Sequence, residues 1–371
     1  MKIMTIVGTR PEIIRLSRVI LLLDKTVDHV LVHTGQNYDY DLNEIFFEDL
    51  GLRKPDYFLN VDTSSLGHVL GETLIKSEEV LRSERPDALL ILGDTNSCIA
   101  AVMAKRMRIP VYHMEAGNRC FDENVPEETN RRLVDHVADF NLVYTEHARR
   151  NLLAEGIHPR RILKTGSPMQ EVLTAYRPAI DRSTVLKDRG LVEGQYLLVS
   201  AHREENVDSP QRLGMLLDGI DAVHHSTSLP VFVSTHPRTR NRLTGLSNWT
   251  APSYITFSDP LGFHDYNRLQ LGASCVLSDS GTIAEESSIL GFPAITVRDS
   301  IERPEALDTG AIIMTGLNPS DIVTAVKVAT EAQGHLREVP DDYKIANTSE
   351  RAVNFILSTA HRHPQWAGLR S

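Results

Sequence analysis

Short runs of β-branched and apolar residues recur along the chain, and most are followed by a stretch with apolar positions at helical spacing. KIMTIV (2–7) leads into a helix pattern from Pro11 to about Leu23, with Pro11 suited to a first helical turn. HVLVHT (29–34), ALLIL (88–92), VYHM (111–114) and NLVYT (141–145) are further strand candidates. Strands that are apolar throughout and alternate with helices predict a parallel sheet covered on both faces. The alternation pauses over 165–183, TGSPMQEVLTAYRPAIDRS, which reads as a linker and crossing helix without a strand. It resumes with YLLVSA (196–201), PVFVST (230–235), SYITFS (253–258), SCVLSD (274–279) and FPAITV (292–297). Two doubly wound α/β domains follow, 1–168 and 169–353. A last helix pattern falls around 349–360, and the C-terminal helix, about 354–371, is expected to pack back on the first domain.

Ligands of open parallel sheets sit beyond the carboxyl ends of the strands, so the residues just after each run are the functional candidates. In the first half these are Arg10 in GTRPE (8–12), Asp94 in GDT (93–95), and His113, Glu115 and Glu127 around EAGNR (115–119) and PEETNR (126–131). The second half offers His202 and Arg203 in SAHREEN (200–206), His236 and Arg238 in STHPRTR (234–240), SDSGT (278–282), and Arg298 and Arg303 in RDSIERPE (298–305). The two sets are expected to face each other across a cleft.

SDSGT before a helix reads as a phosphate seat, because small residues let an anion approach backbone N–H groups at a helix start. Glu286 then stands nearly two turns on, within reach of a ribose diol. The plainer alternative is a helix cap with a solvated Glu286. Each acid also has a plain alternative: Asp94 as a helix N-cap, Glu115 paired with Arg119 four residues on, Glu127 and Glu128 as charges favoured at a helix N-terminus. Three such coincidences at adjacent strand ends favour a catalytic cluster. No HExxH or similar spacing points to a metal.

Composition narrows the setting. The chain has 371 residues, 41% apolar and 24% charged, enough for two domains with real cores. A net charge of −10 argues against nucleic acid or an anionic membrane surface as the main partner, although a few local arginines suffice for a phosphorylated small molecule. Cys98, Cys120 and Cys275 are far apart, without CxxC, and read as reduced thiols of a cytoplasmic protein. The N-terminal apolar run is too short and broken for a signal peptide, and no stretch approaches the roughly 20 apolar residues of a membrane span.

Taken in order, GTRPE, GDT, EAGNR, PEETNR, SAHREEN, SDSG and ERPE resemble the non-hydrolysing UDP-N-acetylglucosamine 2-epimerase family over about residues 1–335. The resemblance implies a GT-B-like fold of two Rossmann-type domains, an active site in the interdomain cleft, a homodimer, a UDP-sugar substrate, and no nicotinamide or metal cofactor. It implies that Arg10, Arg15, Arg119, His202, Tyr266, Ser280, Gly281, Thr282, Glu286 and Arg303 contact the substrate, and that Asp94, Glu115, Glu127 and His202 form the catalytic set. Arg15 stands where the family pattern has lysine. The family's chemistry is elimination of UDP to a 2-acetamidoglycal followed by re-addition with the proton returned to the other face of carbon 2.

Departures from the usual pattern point to one branch. HTGQNYDYDLNE (33–44), EAGNRCFD (115–122), STHPRTR and LGFHDYNRLQ (261–270) resemble the 2-epimerases that convert UDP-2-acetamido-2,6-dideoxy-L-talose to UDP-N-acetyl-L-fucosamine for capsule and O-antigen. Asn37 and Tyr38 replace the His and Arg that serve an allosteric UDP-sugar site in the commoner branch. The alternatives are a UDP-GlcNAc/UDP-ManNAc epimerase, a GT-B glycosyltransferase using a UDP-sugar donor, and a non-catalytic UDP-sugar-binding protein.

Overall fold

The computed structural model describes residues 1–35, 40–246, 249–331 and 338–369, the side chains of 40–44 excepted. Asn37 and Tyr38 lie outside the described residues. The chain divides into two compact units, one formed by Met1–Val172 with Asp342–Ser371 and the other by Leu173–Asp341.

The first unit is built on seven parallel strands: β1 (Lys2–Val7), β2 (Asp28–His33), β3 (Tyr57–Phe58), β4 (Ala88–Leu92), β5 (Val111–Met114), β6 (Phe140–Val143) and β7 (Ile162–Lys164), in the order β3-β2-β1-β4-β5-β6-β7. All five residues of β4 are buried, which is why its sequence, ALLIL, has no polar alternation. The helix Arg10–Thr26 buries Ile13, Leu16, Ile20 and Leu23, a stripe at spacings of three and four residues. The helix Thr348–Thr359 belongs to this unit, where the Phe355 ring packs edge-on against Phe140 and Tyr112 at 5.3 and 6.1 Å.

The second unit carries β8 (Leu197–Ser200), β9 (Val231–Ser234), β10 (Ile255–Ser258), β11 (Cys275–Ser278), β12 (Ala294–Thr296) and β13 (Ile313–Met314), all parallel, ordered β10-β9-β8-β11-β12-β13. Both sheets therefore wind outwards in two directions from a central pair, β1/β4 in one and β8/β11 in the other. Strand order reverses at those pairs, and the crevice beyond their carboxyl ends is where this architecture binds ligands.

Every strand run read from sequence is present. Three further strands, β3, β7 and β13, are not among the runs read above, although β13 lies within the apolar stretch AIIM (311–314); each is two or three residues long, at a sheet edge and only partly buried. The pause at 165–183 becomes the helix Met169–Arg182, with Pro178 inside it. Cys98, Cys120 and Cys275 are free thiols. Among the described residues no helix is long and apolar enough to cross a membrane.

Candidate active site

The turns after β1 and β4 are tied together by one buried acid. Glu12, 1% exposed, accepts from the Gly8 N–H at 2.9 Å and the Thr9 hydroxyl at 2.8 Å, and also from the Ser97 hydroxyl across the β4 turn. Burial raises its pKa despite those hydrogen bonds. The signal was in GTRPE: Thr9 and Glu12 have the spacing by which a third-position glutamate reaches back over a helix start. Arg10, at the head of that helix, lies with its guanidinium carbon 5.6 Å from the Phe46 ring centre.

Asp94 follows Gly93, which adopts φ +73°. It is not an N-cap: the short helix Asn96–Ile99 starts from Thr95 without side-chain capping, and the Asp94 carboxylate takes Arg131 Nε at 3.0 Å and Nη2 more closely. Arg131 also donates to Glu128 at 2.6 Å. Glu128 accepts in addition from the Cys120 N–H at 3.3 Å and from Arg132 at 3.1 Å. Burial alone would raise its pKa, but Arg131 and its other donors outweigh that and lower it. Glu127 opens the helix Glu127–Val137 and is partly exposed.

Glu115, after β5, is 5% exposed and holds a left-handed backbone at φ +64°. Its carboxylate accepts from Arg15, so the arginine standing in place of lysine joins a catalytic candidate, with side-chain exposures of 9% and 6%. The pairing with Arg119 open in the sequence does not form. The Arg119 side chain is fully buried, giving Nε and Nη2 to Glu155 at 2.8 and 2.6 Å and Nη1 to Asp135 at 2.7 Å.

In the second unit the turns after β8 and β11 meet at Asp279, which is fully buried. It accepts from the backbone N–H groups of His202 at 3.1 and 3.0 Å and Arg203 at 2.9 Å, and from the Asn206 amide at 3.2 Å. The half-exposed His202 ring lies 5.4 Å from the His236 ring, centre to centre. Ser280, Gly281 and Thr282 form the turn into the helix Ile283–Leu290. Thr282 does not cap that helix with its side chain; the Ser280 hydroxyl takes the Thr282 N–H at 3.3 Å. A methyl group on Gly281 would lie 3.0 Å from Arg303 Nη1 and 3.4 Å from Arg203 Nη2, so two guanidinium groups approach the bare turn. Arg303 is oriented by buried Glu285, Nε to Oε2 at 3.1 Å. Glu286 accepts from Gln270 at 2.6 Å, and burial together with Glu286 raises the Tyr266 hydroxyl pKa. Glu286 is thus held in place rather than solvated.

The first unit therefore gathers Asp94 and Glu128 on Arg131 of the helix Glu127–Val137 and pairs Glu115 with Arg15 of the helix Arg10–Thr26, whereas the second unit offers arginines and a small-residue turn suited to a diphosphate. Sequence reasoning missed Glu12 as a link, and Asp135 and Asp279 as buried anchors. Among the described residues no group of three or more His, Cys, Asp or Glu is arranged to hold a metal ion.

Known proteins are similar to this chain in sequence and fold. A family model described as UDP-N-acetylglucosamine 2-epimerase matches residues 21–357. The UDP-N-acetylglucosamine 2-epimerase of Methanocaldococcus jannaschii is 37% identical over 336 residues, 88% of this chain and 92% of that protein. A structure of the M. jannaschii enzyme in complex with UDP-GlcNAc and UDP is 35% identical, with a TM-score of 0.89 covering 96% of this chain and 100% of that one. The UDP-2,3-diacetamido-2,3-dideoxy-D-glucuronate 2-epimerase of Pseudomonas aeruginosa is 34% identical over 334 residues, 89% of this chain and 92% of that protein. A UDP-N-acetylglucosamine 2-epimerase structure from Rickettsia bellii is 43% identical, with a TM-score of 0.93 over the whole of both chains. A spinosyn rhamnosyltransferase, 10% identical with a TM-score of 0.54, shares the GT-B-like fold alone. The chain belongs to the UDP-N-acetylglucosamine 2-epimerase family and is an isomerase.

Proposed function

We propose that this protein inverts carbon 2 of a UDP-N-acetylhexosamine by eliminating UDP and adding it back. The observation that carries the reading is the pairing of Asp94 with Arg131 and of Glu115 with Arg15 at neighbouring strand ends of one sheet. Carbon 2 has no adjacent carbonyl, so a free carbanion there is too costly. In the elimination a carboxylate takes the carbon 2 proton while the bond from carbon 1 to the diphosphate oxygen breaks. The products are a 2-acetamidoglycal and UDP. In the return step a second acid protonates carbon 2 from the opposite face, and the diphosphate oxygen bonds carbon 1 again. Asp94, Glu115 and Glu127 are the acid and base candidates, with His202 beside them in role. Separate surroundings let carboxyl groups divide such work. Arg10, Arg303 and the 280–282 turn receive the charge that develops on the leaving diphosphate. Glu286 and Tyr266 serve the nucleoside. The route draws on no nicotinamide or metal.

For the sugar we propose the 6-deoxy-L-talo to L-fucosamine interconversion, which rests on EAGNR and on segments 33–44 and 261–270. It fits a cytoplasmic homodimer supplying capsule or O-antigen synthesis. The second reading, UDP-GlcNAc/UDP-ManNAc interconversion, is favoured by the names of the relatives from M. jannaschii and R. bellii. Proton NMR in heavy water distinguishes them, with each UDP-sugar in its own tube. Deuterium entering carbon 2 of the L-talo compound alone supports the first reading, and exchange with UDP-GlcNAc supports the second. Exchange with neither, or release of free sugar, would sink both.

A further inference from the structure

Behind the turns that carry Asp94 and Glu115 lies a buried cluster that no substrate can reach. Asp135, on the helix Glu127–Val137, is fully buried. Its carboxylate accepts from the Gly117 N–H at 3.1 and 3.2 Å and from Arg119 Nη1 at 2.7 Å, and it lies 2.9 Å from His113 Nδ1. His113, also fully buried, donates from Nε2 to the Gly93 carbonyl at 2.8 Å. Gly93 immediately precedes Asp94, and Gly117 stands two residues after Glu115. One carboxylate therefore binds the Glu115 turn directly and lies against His113, the ring that binds the Gly93 carbonyl of the other turn.

Both turns need such support. Gly93, Glu115 and Gly117 all have left-handed backbones, at φ +73°, +64° and +80°, and Glu115 is not a glycine, so its conformation is disfavoured on its own. A methyl group on Gly117 would come within 2.4 Å of the Ala148 carbonyl oxygen. The Gly117 carbonyl accepts from the Asn151 amide at 2.9 Å. Gly117 is thus held at its N–H by Asp135 and at its carbonyl by Asn151.

We infer that Asp135 is the positioning residue that sets Asp94 and Glu115 in place for proton transfer, its kinetic part resting on the epimerase reading above. The Gly117 N–H and Arg119 donate to its two oxygens beside the His113 ring, and Asp135→Asn removes the countercharge from buried Arg119 and leaves one accepting oxygen where two serve now.

The test compares full-length wild type, Asp135→Asn and Asp139→Asn. Asp139 is a buried acid of the same unit that pairs with Lys105 and His363 and touches neither turn. With the UDP-sugar that the wild type exchanges, Asp135→Asn is expected to lower kcat by about 30-fold or more while KM stays within about twofold. Hydrogen exchange at the Gly117 amide should speed up by at least about tenfold, with the β4 amides unchanged. Asp139→Asn should lower the Tm yet keep kcat within about twofold. A kcat for Asp135→Asn within twofold of wild type, or an equal loss in Asp139→Asn, overturns the proposal. If Asp135→Asn does not fold, Asn151→Ala substitutes for it: a kcat at least about threefold lower at constant KM supports the clamp, and an unchanged kcat refutes it. Should the wild type exchange no UDP-sugar, the epimerase reading fails by itself, and Gly117 exchange alone then decides the role of Asp135.

Discussion

Glu115 sits in a left-handed conformation that costs an L-residue roughly 1–2 kcal/mol, and its carboxylate is buried against Arg15. Such a cost persists where a side chain has a task the fold cannot give to glycine. Glu115→Gln and Asp94→Asn are each expected to lower turnover by at least about 100-fold, near 2.7 kcal/mol of transition-state stabilisation, with the far-ultraviolet spectrum unchanged. Near-normal turnover in either would remove that acid from the chemistry. Arg15→Met does something different: it removes the countercharge that Arg15 gives a buried carboxylate and should cost about 3 kcal/mol in denaturant unfolding. His33, at the end of β2, shows the residue scale in titration. Burial lowers its pKa to about 4, and its Nδ1 accepts the Gly35 N–H at 3.0 Å, so the fold holds the neutral ring. The unfolded chain binds that proton near pH 6.5, so stability is full above pH 6.5 and declines as pH falls towards 4, by about 3 kcal/mol in all. His29, also lowered by burial, acts in the same sense. A His33→Asn variant should therefore show a shallower loss of stability between pH 7 and pH 5 in urea unfolding, and an unchanged slope would refute the assignment.

Among the elements, the turns matter more than the strands and helices they join. Thr9 starts the helix Arg10–Thr26 without capping it, and Glu12 does the binding instead, joining that start to the β4 turn through Ser97. Glu12→Gln turns one amide hydrogen pair towards existing donors, and we expect a loss of about 1–3 kcal/mol in stability, checked by thermal unfolding. How much of this was legible follows from the same contrast. Strand runs such as ALLIL and VYHM declare themselves because both faces are buried, and the strand-end rule then leads straight to Asp94, Glu115 and His202. Strand β3 does not, since its two residues are extended only because they pair with β2. Glu12 carried a readable spacing signal. Asp135 carried a weaker one, an acid on the same helix stripe as Arg131, Val134 and Ala138, all of them buried. Partners distant in sequence escape periodicity altogether: Arg15 stands 100 residues from Glu115, and Arg131 37 from Asp94.

At the scale of the whole molecule, the chain leaves its first unit at Val172 and returns to it at Asp342. The returning segment is part of that unit's core. Ala352, Val353 and Ile356 are buried on the helix Thr348–Thr359, the Tyr112 hydroxyl meets Thr359 at 2.6 Å, and His363 lies 2.7 Å from buried Asp139. Losing a buried valine and isoleucine forfeits about 1.5–3 kcal/mol each, and Asp139 is left with one fewer partner. Exposure of Tyr112 and Phe140 adds to that, so the sum rivals the roughly 5–15 kcal/mol by which a domain is stable at all. The second unit has no such debt, because Leu173–Asp341 is continuous and carries its own core around β8, β9 and β11. Residues 173–341 expressed alone should therefore unfold cooperatively in urea, whereas 1–172 without 342–371 should not. Supplying 342–371 in trans, or joining it to residue 172 by a flexible linker, should restore a cooperative transition to the first unit. A fragment 1–172 that folds as firmly by itself would show that the C-terminal segment only decorates a core complete without it.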